Sequence, residues 1–123
     1  MLPKNRRINK QYFAEILPKS RSFGSKNFTL KVSPLKPDNK LILDNKSRFA
    51  FVVSGKMFKK AVDRNLIKRR FRAIIAKNLV EIKDGYFLIF ISQKTVLSLK
   101  FKDLEQEVTF LLRKNKFLSN ANI

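Results

Sequence analysis

The chain has 123 residues, 44% of them apolar and twelve of them Phe, which suits one domain over residues 1–123 with a packed core and excludes global disorder. Lys and Arg number 28 against nine Asp and Glu, a net charge of +19, and a small domain this basic repels itself unless a polyanion neutralises it. The absence of Cys excludes a disulfide framework and a thiolate metal site, and the absence of any apolar run near about 18 residues excludes a transmembrane helix.

The N-terminal Met1-Leu2-Pro3-Lys4-Asn5 is an extended start with neither a lipidation motif nor the apolar core of a signal peptide. Nucleic acid therefore stands ahead of an anionic membrane surface as the polyanion, and a cytoplasmic location is expected. Asn9 is placed to cap a short helix over residues 10–17, with Tyr12, Phe13, Ile16 and Leu17 as its apolar side and Pro18 as its stop. Lys19-Ser20-Arg21-Ser22-Phe23-Gly24-Ser25 reads as a donor-rich loop. Residues 27–33 alternate, with Phe28, Leu30 and Val32 facing one way and Thr29, Lys31 and Ser33 the other, the pattern of a half-buried strand. Residues 34–47, with two Pro and several Asn and Asp, read as a long surface loop in which Leu41-Ile42-Leu43 either extends a strand or packs on the core.

Residues 48–54 form the next strand, with Phe49, Phe51 and Val53 on one face. Gly55 then breaks into a basic helix, expected from residue 56 to about residue 80. Lys83-Asp84-Gly85 is a turn, and residues 86–92 are almost continuously apolar, as a strand covered on both faces must be. Residues 93–100 form a loop. Residues 101–116 form an amphipathic helix whose acids lie in its first half and whose cations lie at its end, matching its dipole. Residues 119–123 are expected to fray. The order is α-β-β-α-β-α with room for one more strand in residues 34–47, which indicates an α+β chain folded as a two-layer α/β sandwich.

The basic stretch, residues 56–72, organises the rest. It holds eight cations and one acid, Asp63. At about 100° per residue, Ile67, Phe71, Ile74 and Asn78 share one side of a helix, while Asn65, Lys68, Arg69 and Arg72 share the other. Like charges at this spacing repel, so a helix selected only for stability would interleave Glu. Arg, moreover, offers a planar fork of donors suited to phosphate oxygens. Arg64 and Arg70 lie off the main stripe, where they either join it or pin the helix to the sheet or to a carboxylate.

A self-contained active site is not expected. There is no His, the nine acids are scattered, and only three Gly exist, too few for a phosphate-cradling loop. Glu81 and Asp84 flank a turn, and Asp103, Glu105 and Glu107 suit a helix N-terminus; neither group is a metal cage. This speaks against a stand-alone nuclease and leaves an RNA-binding module of the ribosomal-protein kind as a competitor.

The run Ala61-Val62-Asp63-Arg64-Asn65-Leu66-Ile67-Lys68-Arg69-Arg70-Phe71-Arg72 resembles the signature of the bacterial ribonuclease P protein subunit, roughly Ala-Val-x-Arg-Asn-x-x-Lys-Arg-x-x-Arg, with every fixed position filled. A basic ribosomal protein need not show that spacing. The likeness extends over nearly the whole chain, through Leu2-Pro3-Lys4, Phe13, Arg21-Ser22, residues 48–54 and Phe101-x-x-Leu104. The resemblance implies a central sheet of about four strands with a left-handed βαβ crossover through the basic helix, a connection that the general handedness rule would disfavour. It also implies the accessory subunit of an endoribonuclease that removes the 5′ leader of precursor tRNA. Catalysis and Mg2+ would belong to the RNA subunit, with no catalytic residue, metal ligand or small-molecule substrate on the protein.

By that resemblance, Arg64, Asn65, Lys68, Arg69 and Arg72, flanked by Lys56, Lys59 and Lys60, would contact the catalytic RNA. Phe13, Leu17, Lys31 and Arg48 would line a groove for the leader. On its residues alone Phe13 is ordinary core. Leu17 and Lys31 stand where relatives often carry aromatics, which favours charge over stacking, and Lys59 stands where many have Gly, so the loop into the helix departs from the pattern.

Overall fold

The computed structural model describes residues 6–8, 10–35 and 46–118. The Asn9 cap, Leu41-Ile42-Leu43, the start at residues 1–5 and the frayed end at residues 119–123 all lie outside the described residues. Helix α1 (Lys10–Ile16) runs into a 3-10 turn (Leu17–Lys19) that contains Pro18. Then come β1 (Arg21–Gly24), β2 (Phe28–Pro34), β3 (Arg48–Val52), α2 (Ala61–Lys77), β4 (Tyr86–Ser92), a 3-10 turn (Lys94–Ser98) and α3 (Phe101–Lys114).

The strands form one sheet of order β1-β2-β4-β3. Strands β1 and β2, and β2 and β4, are antiparallel, whereas β3 and β4 are parallel neighbours joined through α2 in a βαβ crossover. Because β4 is central, both its faces are buried: Leu88 and Phe90 on one side, Phe87 and Ile89 on the other. That is why its sequence is a continuous apolar run.

On the first face, Phe28, Leu30, Val32 and Phe49 meet Ile67, Phe71, Ile74 and Ile75 of α2 and Leu104, Val108, Leu111 and Leu112 of α3. Phe71 is fully buried, with ring centroids 5.7 Å from Phe28, 5.8 Å from Phe51 and 5.5 Å from Phe90. On the second face, Ile16 and Phe13 of α1, with Leu17 of the 3-10 turn, lie over Phe87 and Ile89.

Three expectations are corrected. Among the described residues the additional strand is β1, in the segment read as a loop, whereas most of the 34–47 stretch that had room for one more strand lies outside the described residues. The residues of β1 are exposed except for half-buried Phe23, so there is no alternation to read; a short polar strand is what a sheet edge favours. The basic helix begins at Ala61 and not at residue 56. Phe58 is nine residues before Ile67, which on a continuous helix is about 180° away, so a helix through it would turn the ring to solvent. Instead the chain turns at residues 55–57, with Phe58 N–H donating to Ser54 O at 2.9 Å, and the ring enters the core at 2% exposure. Asn78 is not on the buried stripe. It closes α2, its Nδ2 donating to Ile74 O at 2.8 Å, and Ile75 takes the core position.

The turn before β4 is present, and Gly85 adopts φ 95°, a conformation that side chains resist. Phe71→Ala is expected to cost about 3–5 kcal/mol, because three rings lose a shared neighbour. Urea unfolding with a lowered midpoint and an unchanged m-value would show it.

Candidate nucleic-acid interface

Burial of Ile67, Phe71, Ile74 and Ile75 fixes the rotation of α2, and the opposite stripe then points away from the sheet. Asn65, Lys68, Arg69 and Arg72, with Ala73 between them, line a shallow depression. Asn65, Arg69 and Arg72 are exposed and Lys68 is half-buried. Among the described residues, Lys68, Arg69 and Arg72 have no carboxylate or hydrogen-bond partner, whereas Lys77 on the same helix pairs with Glu105 at 2.9 Å. Among the described residues, therefore, nothing relieves the repulsion within the stripe.

Lys68 and Arg72 also border a second cleft, shared with Arg7, Ile8, Phe49, Ala50 and Phe51. The 6–8 segment reaches it by running beside the edge strand β3, where Ile8 N–H donates to Phe49 O at 3.0 Å. The stripe thus continues onto the β3 edge. Arg7 and Ile8 were not among the sequence candidates. Their only signal was charge in Asn5-Arg6-Arg7, and their position depends on a pairing no local pattern reveals.

The flanking lysines Lys56, Lys59 and Lys60 are exposed but precede the helix. Arg64 is half-buried, and its Nη1 donates to Phe58 O at 2.6 Å and Lys59 O at 3.2 Å, tying the loop to the first turn of α2. Arg70 donates to Leu99 O at 2.9 Å, anchoring α2 to the segment that leads into α3. Of the two alternatives for these off-stripe arginines, the geometry gives both a backbone anchor, and the acceptors are carbonyls rather than carboxylates.

The groove candidates share the second sheet face. Lys31 of β2 and Ala50 of β3 both stand opposite Ile89, and Arg48 stands opposite Phe87, so Lys31 and Arg48 flank β4 two residues apart in register. Phe13 and Leu17 are half-buried against Phe87 and Ile89. Lys31 Nζ donates to Ser22 Oγ at 2.8 Å, and Arg48 Nη1 donates to Arg7 O at 3.3 Å. The structure brings all four to one face, with the half-buried Val52 and Ile91 extending the apolar floor.

Asp84 and Glu107 are engaged elsewhere. Asp84 lies 3.9 Å from Arg6 and 3.5 Å from Lys46, and Glu107 accepts from Ser25 and Asn27. Among the described residues no three acids gather as a metal cage. No helix among them is long and apolar enough to cross a membrane.

The sequence model of the Ribonuclease P family matches residues 2–116. A ribonuclease P protein component of Fusobacterium nucleatum is 37% identical over 76 residues, covering 58% of this chain and 68% of its own length. One from Finegoldia magna is 30% identical over 108 residues, covering 88% of this chain and 87% of its own. The solved RNase P protein of Staphylococcus aureus superposes with a TM-score of 0.76 at 23% identity, covering 92% of this chain and 97% of its own. That of Thermotoga maritima gives 0.74 at 23%, covering 88% and 96%.

Arg64 and Arg69, five residues apart, should separate by their effects on stability. Arg64→Ala is expected to lose about 1–2 kcal/mol, because two loop carbonyls lose a charged donor, while Arg69→Ala stays within about 0.5 kcal/mol. Paired thermal or urea unfolding curves make the comparison.

Proposed function

The chain belongs to the ribonuclease P protein family, and from that premise we propose that it binds the catalytic RNA of ribonuclease P and the 5′ leader of precursor tRNA, assisting endonucleolytic removal of that leader. The observation that carries this reading is the stripe on α2: Lys68, Arg69 and Arg72, three cations without a partner among the described residues, aligned with the amide of Asn65 on an outward helix face. Such a stripe is costly to the isolated protein and is relieved when phosphates replace the missing counter-charges.

In this reading the guanidinium forks of Arg69 and Arg72 take phosphate oxygens, and Lys68 supplies a point charge between them. Asn65, able both to donate and to accept, suits a 2′-hydroxyl, the group that separates RNA from DNA. Arg64 keeps donors beyond the two it commits to Phe58 and Lys59 carbonyls, and by those bonds it holds Lys59 and Lys60 near the stripe. Lys56 adds charge at the start of the same loop.

The groove would receive the leader as a single strand. Phe13 and Leu17 offer an apolar wall, and Lys31 and Arg48 offer charge on either side of β4. Its aromatic content is small, so neutralisation contributes more than stacking.

The bond broken is a phosphodiester, and the attacking oxygen comes from water. Among the described residues no three acids gather as a magnesium site would require, and the reading assigns Mg2+ to the RNA partner and no acid, base or nucleophile to the protein. A cytoplasmic ribonucleoprotein without a membrane partner is the setting it requires.

The purified protein is expected not to cleave precursor tRNA, and to support cleavage at low Mg2+ once a cognate RNA subunit is added. Activity that stays with the protein after exhaustive RNA removal would overturn the assignment. Arg69→Ala is expected to weaken binding to the RNA subunit and to lower the slope of log K against log salt by about one unit. An unchanged slope would remove Arg69 from the interface.

A further inference from the structure

Strand β1 is the sheet edge opposite β3, and α3 packs beside it. The buried side of α3 is fixed by Leu104, Val108, Leu111 and Leu112. That register leaves Phe110 outward, 62% exposed. A single exposed apolar residue needs no partner of its own, and Val62 and Val80 are more exposed still; what sets Phe110 apart is an aromatic face with cations around it.

The surroundings of Phe110 are cationic. Arg113 and Lys114, one turn on, are exposed. Glu107, one turn back, accepts from Ser25 Oγ at 2.5 Å, from Asn27 Nδ2 at 2.7 Å and from Asn27 N at 3.0 Å, so its carboxylate is occupied by three donors. The same bonds hold the turn between β1 and β2 against this flank of α3, and with it the exposed Lys26 that lies between the two bonded residues. The ring of Phe23 meets Phe117 at 5.6 Å, seating β1 beside the end of α3, and Arg21 lies 5.5 Å over Phe23.

One ring among cations is far smaller than the few hundred Å2 of apolar area that marks a protein-docking patch. It matches the elements of a single-strand site, in which a base stacks on an aromatic side chain and cations follow the phosphates. A double helix presents no base face to an isolated ring.

We propose that the β1 edge and the outward face of α3 form a second RNA surface, on which Phe110 stacks against one unpaired base and Arg113, Lys114 and Lys26 neutralise the phosphates on either side. It lies toward the β1 edge, whereas the α2 stripe adjoins the β3 edge, it shares no residue with the stripe or the groove, and it rests on the reading that RNA is the partner.

The chain contains no Trp, so Phe110→Trp in the full chain provides a single emitting indole. The probe is a short fluorescein-labelled oligoadenylate, followed by label anisotropy and by indole emission. Quenching of the indole in step with the anisotropy is expected. Phe110→Ala should weaken binding about tenfold with no change in salt slope, and Phe110→Tyr should restore it. Arg113→Ala should lower the slope by about 0.7. Indole emission that stays fixed while anisotropy rises overturns the proposal. So does emission that changes with protein concentration alone, which would seat a second copy on the ring. Emission already that of a buried indole in the dilute free protein overturns it too, by placing another part of this chain there. If anisotropy does not rise even with the unaltered protein, RNA binding itself fails and this surface fails with it.

Discussion

The rotation of α2 about its own axis is the constraint on which the rest depends. Phe71 sits among Phe28, Phe51 and Phe90, rings drawn from β2, β3 and β4, and this contact spans the sheet. A helix with a fully buried aromatic at its middle cannot roll without emptying a core pocket, so the opposite face is fixed to within a fraction of a turn. The position of Asn65, Lys68, Arg69 and Arg72 follows from packing on the far side of the same helix, not from any contact of their own. Here the core acts as the positioning device for an electrostatic surface.

That arrangement reconciles two opposing terms. Repulsion along the stripe removes a few tenths of a kcal/mol for each like-charged pair. Burying one large apolar side chain contributes about 1.5–3 kcal/mol, and α2 buries four. The helix can therefore carry unpaired charge at modest cost. Arg64 and Arg70 have a different task from their neighbours, since each is bonded to backbone carbonyls outside the helix. The basic run is divided between cations that hold the helix in place and cations that stand outward.

Much of this was legible in the residues. The period of α2 gave the buried and exposed stripes, and the continuous run at Tyr86–Ser92 gave a central strand. The elements that escaped are those whose stability comes from distant partners. Strand β1 has one half-buried apolar residue and exists because β2 pairs with it. The start of α2 is moved by the burial of Phe58, a tertiary demand that outweighs local helix propensity. Arg7 joins the cleft only through the pairing of residues 6–8 with β3. The groove residues lie on three separate elements, and only the fold brings them to one face.

The parallel pairing of β3 has a consequence for biogenesis. Among the described strands, β3 neighbours only β4, which follows it by a whole helix in the chain. On a ribosome that releases the N-terminus first, Phe49 and Phe51 emerge before the segment that will shelter them has been synthesised. Throughout that interval the nascent segment is both greasy and strongly cationic. Pairing of the middle of the polypeptide therefore waits on β4, and truncation before Ser92 should yield an insoluble fragment rather than a smaller functional one.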